Sequence, residues 1–185
     1  MEAFLVSAGL VAIAEIGDKT QLLAMLPATR YRRPLPIILG ILVATLANHA
    51  LAASLGAAVA AWLGPDIMRW MVGGLFIVMA GWCLIPDKAD EGPKAAGTLG
   101  AFLATTIAFF VVEMGDKTQI ATVALAARFR DIVAVTAGTT VGMMLANVPA
   151  VFFGDALARR IPLTLVRICA AVSFVLLGLA VLLWR

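Results

Sequence analysis

Seven residues, Glu-x-Gly-Asp-Lys-Thr-Gln, occur twice, as Glu15 to Gln21 and as Glu113 to Gln119, each time inside an apolar stretch long enough to cross a bilayer. A carboxylate at mid-membrane costs at least ~2.5 kcal/mol on insertion scales, so it persists where it pairs, lines a polar cavity or binds something. On an ideal helix Glu15 and Asp18 lie about 60° apart, with Lys19 about 40° to the other side of Glu15. The motif therefore predicts one charged face per copy. If the two faces meet, Glu15, Asp18, Glu113 and Asp116 contribute four negative charges and Lys19 and Lys117 two positive ones. The sum is −2, which one divalent cation neutralises.

The donor types narrow the cation. Carboxylate, amide and hydroxyl oxygens suit Mg²⁺, Ca²⁺ or Mn²⁺, whereas zinc and copper sites usually recruit Cys or His. Supporting oxygens could come from Thr20, Gln21, Thr118, Gln119, Asn48 and Asn147. On a regular helix Thr and Gln point partly away from the acids, so their participation requires distortion, which Gly17 and Gly115 permit. A merely structural alternative pairs Glu15 with Lys19 and Glu113 with Lys117 at i, i+4, but it leaves Asp18 and Asp116 without a role. The lone histidine, His49, reads either as a structural imidazole or as a proton relay.

The elements that must position these residues are membrane helices. With 63% of its 185 residues hydrophobic and only 14% charged, the chain lies far outside soluble composition. Its length accommodates about six spans of ~20 residues and no soluble domain. Pro, Gly and charge punctuate it into segments of about Ala3 to Met25, Leu35 to Leu63, Ile67 to Ile85, Gly97 to Ala127, Ile132 to Leu157 and Leu163 to Trp184. Trp62, Trp70, Trp82 and Trp184 fall near segment ends, as an interfacial belt requires. Met1-Glu2-Ala3-Phe4 has no basic region, so the first segment is expected to be a retained helix and not a cleaved signal. Cys83 and Cys169 stand alone in apolar runs and are expected to be packed and reduced.

A shift of 98 residues superimposes the halves, bringing Glu15 onto Glu113, Asp18 onto Asp116, Arg30 onto Arg128, Gly40 onto Gly138, Gly56 onto Gly154 and Arg69 onto Arg167. Asn48 and Asn147 match one residue out of that register. Residues 1–86 and 97–185 thus read as two three-helix repeats joined by a polar linker, 87–96, within one membrane domain. Three is odd, so the repeats are threaded in opposite senses: an all-α, polytopic, six-helix inverted repeat of the kind that places a substrate site at the midplane. Gly138-x-x-x-Gly142 and its counterpart Gly40-x-x-x-Ala44 provide small residues for close helix packing, although glycine is in any case frequent in membrane helices. Loops holding Arg30, Arg32, Arg33, Lys88, Lys94, Arg159 and Arg160 outweigh the face holding Arg69, Arg128, Arg130 and Arg185, which predicts a cytoplasmic linker with both termini outside. Basic residues scattered in this way do not suggest nucleic acid. No phosphate-binding Gly-x-x-x-x-Gly-Lys loop is present, so uphill transport must borrow an ion gradient, and protons compete naturally with a metal for the same oxygens. Two protons per metal would balance the −2 sum.

Two such motifs in a small protein with a polar middle linker closely resemble the Gdt/MneA-type manganese exporter family, the family of transmembrane protein 165. The resemblance covers essentially the whole chain. It implies an integral membrane protein of a bacterial inner membrane that exports Mn²⁺, or Ca²⁺ as in some members, by cation/proton antiport with alternating access. It further implies that the metal-handling acids are Glu15, Asp18, Glu113 and Asp116, with Lys19, Thr20, Lys117 and Thr118 completing the motifs. No catalytic residue and no permanent cofactor are expected, and the partners are lipid, the transported cation and protons, with homo-oligomerisation left open. The chain departs from longer eukaryotic members in its short linker. Two other classes compete with this reading. An exporter of amino acids or small organic cations would use the acids to bind an amine, and amino acids would then compete with metal. An intramembrane aspartyl protease requires Gly-x-Gly-Asp and a Tyr-Asp pair, but here Glu15 and Glu113 occupy the first glycine position and the only tyrosine, Tyr31, precedes Arg32.

Overall fold

A computed structural model describes residues 1–16, 18, 24, 34–85, 98–160 and 162–183. Among these, seven helices follow one another: α1 (Glu2–Glu15), α2 (Pro34–Trp62), α3 (Pro65–Cys83), α4 (Thr98–Glu113), α5 (Lys117–Phe129), α6 (Ile132–Arg160) and α7 (Leu163–Leu183). Residues of α2, α3, α6 and α7 form four stretches long and apolar enough to cross a bilayer; α4 is apolar but shorter. Exposed Leu, Val, Ile and Phe side chains are distributed along α2, α3, α6 and α7. Such helices, apolar on the outside as well as within, need lipid and not water around them. The protein is a polytopic helical membrane protein. Exposed Trp62 and Trp70 flank the short α2–α3 connection, where an interface is expected.

The segment read as one helix from Gly97 to Ala127 is two. α4 stops at Glu113, and α5 begins at Lys117. Gly115 has φ +77°, a left-handed conformation that ends a helix and that residues with a Cβ adopt reluctantly. Asp116 is extended and caps α5, its Oδ2 accepting the Thr118 amide at 3.4 Å. The first segment behaves similarly: α1 ends at Glu15, and Ile16 is extended at φ −63°, ψ 118°. A single charged face on a continuous helix is therefore not what the motif forms. The expected first-segment boundary near Met25, the linker 87–96, and Gly17, Lys19, Thr20 and Gln21 lie outside the described residues.

Packing crosses between the halves. α1 lies chiefly against α6, α4 against α2, and α3 against α7. Gly40 and Gly138 make the first two contacts intimate. A Cβ on Gly138 would come within 2.5 Å of the Phe4 carbonyl oxygen, and one on Gly40 within 2.9 Å of that of Phe102. Gly142 meets the Ala8 carbonyl oxygen in the same way. These small residues are thus used for helix approach. Neither cysteine forms a disulfide; Cys83 is buried, but Cys169, expected to be packed, lies on an exposed face of α7. An apolar span leaves one face to lipid, and Cys169 falls on it.

Candidate cation site

Both motif copies end one helix on their glutamate and fold back through the same backbone bond. Asp18 N–H donates to the Glu15 carbonyl at 3.0 Å, and Asp116 N–H to that of Glu113 at 3.1 Å. The break aims the amino end of α5, where unpaired amides and the helix dipole favour negative charge, at the acids beside it. Thr118, the second residue of α5, donates its hydroxyl to Glu113 Oε2 at 2.9 Å. On an unbroken helix that threonine would point partly away; the Gly115 turn brings it in. Gly115→Ala should cost ~1–2 kcal/mol through its left-handed backbone alone, since a Cβ there would meet nothing within 4 Å. Thermal unfolding in detergent measures that loss.

The two copies meet directly. Lys117 Nζ donates to Asp18 Oδ1 at 2.7 Å, an ion pair spanning 99 residues, with side chains 5% and 2% exposed. Glu15, fully buried, accepts from Asn147 Nδ2 at 3.0 Å. Asn48 donates to the Phe110 carbonyl at 2.9 Å and accepts from Gln119 Nε2 at 2.8 Å, while Gln119 Oε1 accepts the Gly115 amide at 2.6 Å. Glu15, Asp18, Glu113, Asp116, Lys117, Thr118, Gln119, Asn48 and Asn147 are thus drawn into bonds that run within each motif, between the motifs, or from a motif to α2 or α6. The i, i+4 pairing of Lys117 with Glu113 as its sole purpose does not hold, because Lys117 reaches the other motif.

Among the described residues no group of three or more Asp, Glu, His or Cys side chains is placed to hold a metal ion. Asn147, Lys117 and Thr118 each hold one of the acids in place. His49 is fully buried on α2, and neither ring nitrogen has a hydrogen-bond partner among the described residues.

The structure adds residues that sequence reasoning missed. A cavity of about 10 Å³, the size of one water, adjoins the ion pair and is lined by Asp18, Lys117, Ile13, Cys83, Arg167 and Ala170, among others. Arg167 carried a signal, its register with Arg69, but nothing in the sequence tied it to the motif. Met143 sits one helical turn before Asn147, and its sulfur accepts from Asn147 Nδ2 at 3.0 Å. Further along the same helices a cavity of about 500 Å³ has apolar walls that include Phe76, Leu125 and Leu177, with exposed Glu2 and Arg128 also lining it.

A family described as "Divalent cation/proton antiporter GDT1" matches residues 3–91 and 101–184. The chain belongs to the GDT1 family. A Vibrio cholerae protein named "Putative manganese exporter" is 54% identical over 181 residues, covering 97% of this chain and 90% of the relative. A GDT1-like protein of Synechocystis is 29% identical over 183 residues, covering 87% of each. A longer GDT1-like protein of indica rice is 27% identical over 187 residues, of which this chain spans 66%. No solved structure matches. Both halves of the chain, with both motifs, fall within the GDT1 match. Membership makes the protein a membrane transporter and not an enzyme.

Proposed function

We propose that this protein exports a divalent cation, Mn²⁺ in the first place and Ca²⁺ as the competitor, in exchange for protons, by alternating access. The observation that carries this reading is the buried Asp18–Lys117 pair, which joins the two motif copies. An ammonium held 2.7 Å from a buried carboxylate stands where a cation could stand. A metal arriving at Asp18 must displace Lys117, and a departing metal lets it return, so the acids never remain uncompensated. The −2 sum over Glu15, Asp18, Glu113, Asp116, Lys19 and Lys117 is met by one divalent ion or by two protons. That equivalence is the chemical basis for exchange.

An inverted pair of three-helix repeats, 1–86 and 97–185 with the linker 87–96 cytoplasmic, accounts for the cross-packing. Phe4 and Phe102 differ by the same 98 residues as Gly40 and Gly138, and each phenylalanine backbone seats against the glycine of the other repeat. Phe76 and Phe174, again 98 apart, pack against each other with ring centroids 6.0 Å apart and planes tilted by 38°. Equivalent residues in contact lie on a pseudo-twofold axis. The 500 Å³ cavity on the side of Glu2 is then a vestibule toward the exterior.

The test is reconstitution into liposomes with a pH dye inside, adding Mn²⁺, Ca²⁺ and Mg²⁺ in turn. Mn²⁺ should drive proton movement in the wild type. Asp18→Asn and Asp116→Asn should each lower its rate at least tenfold, the low end of the ~10–100-fold effect of losing a metal-supporting group. Rates unchanged in both variants would remove these acids from the mechanism.

A further inference from the structure

Selectivity among hard divalent cations cannot come from carboxylates alone, since Mn²⁺, Ca²⁺ and Mg²⁺ all accept oxygen. Resting on the cation-exporter reading above, we propose that Met143 is a ligand of the transported cation, its thioether joining Glu15 and Asn147 to favour Mn²⁺ over Ca²⁺ and Mg²⁺.

The geometry at Asn147 carries this. Glu15 Oε1 and Met143 Sδ both accept from the same nitrogen, Asn147 Nδ2, at 3.0 Å each, as does the Met143 backbone carbonyl at 3.1 Å. A carboxylate oxygen and a sulfur lone pair are therefore aimed at one point, now filled by an N–H donor group. Glu15, Met143 and Asn147 are all fully buried, so no solvent competes for that point. The amide's other end supplies an independent observation. Asn147 Oδ1 is a buried acceptor with no hydrogen-bond partner among the described residues. Rotating the amide about its Cβ–Cγ bond withdraws the nitrogen and presents the oxygen. A cation entering beside the exchanged amide oxygen then faces Glu15 oxygen, Asn147 oxygen, and Met143 sulfur and carbonyl oxygen, four acceptors where there had been three acceptors and a donor.

The other repeat lacks this arrangement. Its asparagine, Asn48, uses both amide ends on protein groups, Phe110 and Gln119. The position that corresponds to Met143 in the asparagine register is Ala44, which has no ligating atom. The two half-sites are thus chemically unequal. The softer one lies on α1 and α6. Met143 and Asn147 share a face of α6 because they are four residues apart, and Gly142 lets α6 approach α1 closely enough for Glu15 to reach them.

Sulfur is a soft donor. Ca²⁺ and Mg²⁺ gain little from it, and a sulfur in the shell displaces an oxygen that they would bind better; a transition ion such as Mn²⁺ loses less, and Cd²⁺ gains. Met143→Leu keeps volume and apolarity, so packing is largely retained. In the liposome assay it should lower the preference for Mn²⁺ and Cd²⁺ over Ca²⁺ by about tenfold, with Ca²⁺-driven proton movement retained. An unchanged Mn²⁺/Ca²⁺ ratio overturns the proposal but leaves the exporter reading standing. Wild-type protein in which no divalent cation moves protons overturns the exporter reading itself.

A second measurement does not depend on a variant folding. In full-length protein whose methionines are replaced by selenomethionine, X-ray absorption at the Mn edge with Mn²⁺ alone should contain a selenium neighbour, which identifies a methionine and not a cysteine. The same spectrum of labelled Met143→Leu should lack it. A shell of oxygen and nitrogen only in the labelled wild type overturns the proposal.

Discussion

Asp18→Leu is expected to destabilise the protein by about 3–5 kcal/mol, and Lys117→Met by a similar amount, because each removes one partner of a buried ion pair. The double variant, Asp18→Leu with Lys117→Met, should recover most of that loss. An ion pair as buried as this one stabilises little relative to apolar groups of similar size, because the attraction only offsets what desolvation costs. A double-mutant cycle by thermal unfolding in detergent measures the coupling. Strictly additive losses would show that the 2.7 Å contact does not join the motifs energetically. Transport should not follow stability. The double variant, although well folded, is expected to be inactive in the liposome assay, since it has lost both the acid and its internal counter-ion. Recovery of stability without recovery of exchange separates the two roles of the pair.

Gly138→Val should have the second-largest effect. Its Cβ would lie 2.5 Å from the Phe4 carbonyl oxygen and 2.9 Å from Ser7 Cβ, and the backbone it strikes cannot rotate aside as a side chain can. α1 must lift away from α6. Overpacking of this kind typically costs ~1–3 kcal/mol. The loss of transport should exceed that figure in consequence, because the same two helices hold Glu15 against Asn147. Gly9→Ala on α1 is the control: nothing lies within 4 Å of a Cβ there, and replacing a helical glycine by alanine gains roughly 0.5–1 kcal/mol. If Gly138→Val and Gly9→Ala unfold at the same temperature, close approach of α1 and α6 does not support the site.

Much of the site was legible because the signals were chemical and repeated. Acids in an apolar run are costly wherever they fall, so Glu15, Asp18, Glu113 and Asp116 stood out without any knowledge of the fold. The register of 98 residues likewise marked Gly40 and Gly138 as equivalent before either was seen to seat a neighbouring backbone. The helix break at Gly115 was less legible. A glycine lowers helix stability by only ~1 kcal/mol, so an apolar stretch of this length reads as continuous unless the capping role of Asp116 is weighed against it.

By itself, then, the sequence determined that this is a helical membrane protein built around two acidic motifs whose charge is two short of neutral. Those properties follow from composition and the cost of burying charge, which depend on residue type and not on neighbours. Only the tertiary structure decided which groups answer which acids: Lys117 to Asp18, Asn147 to Glu15, Thr118 to Glu113. It alone brought in Met143, whose sulfur is inconspicuous in an apolar sequence. Hydrogen bonds and ion pairs are short-ranged and directional, so partners 99 or 132 residues apart are chosen by how α1, α5 and α6 pack, and by nothing local to either motif.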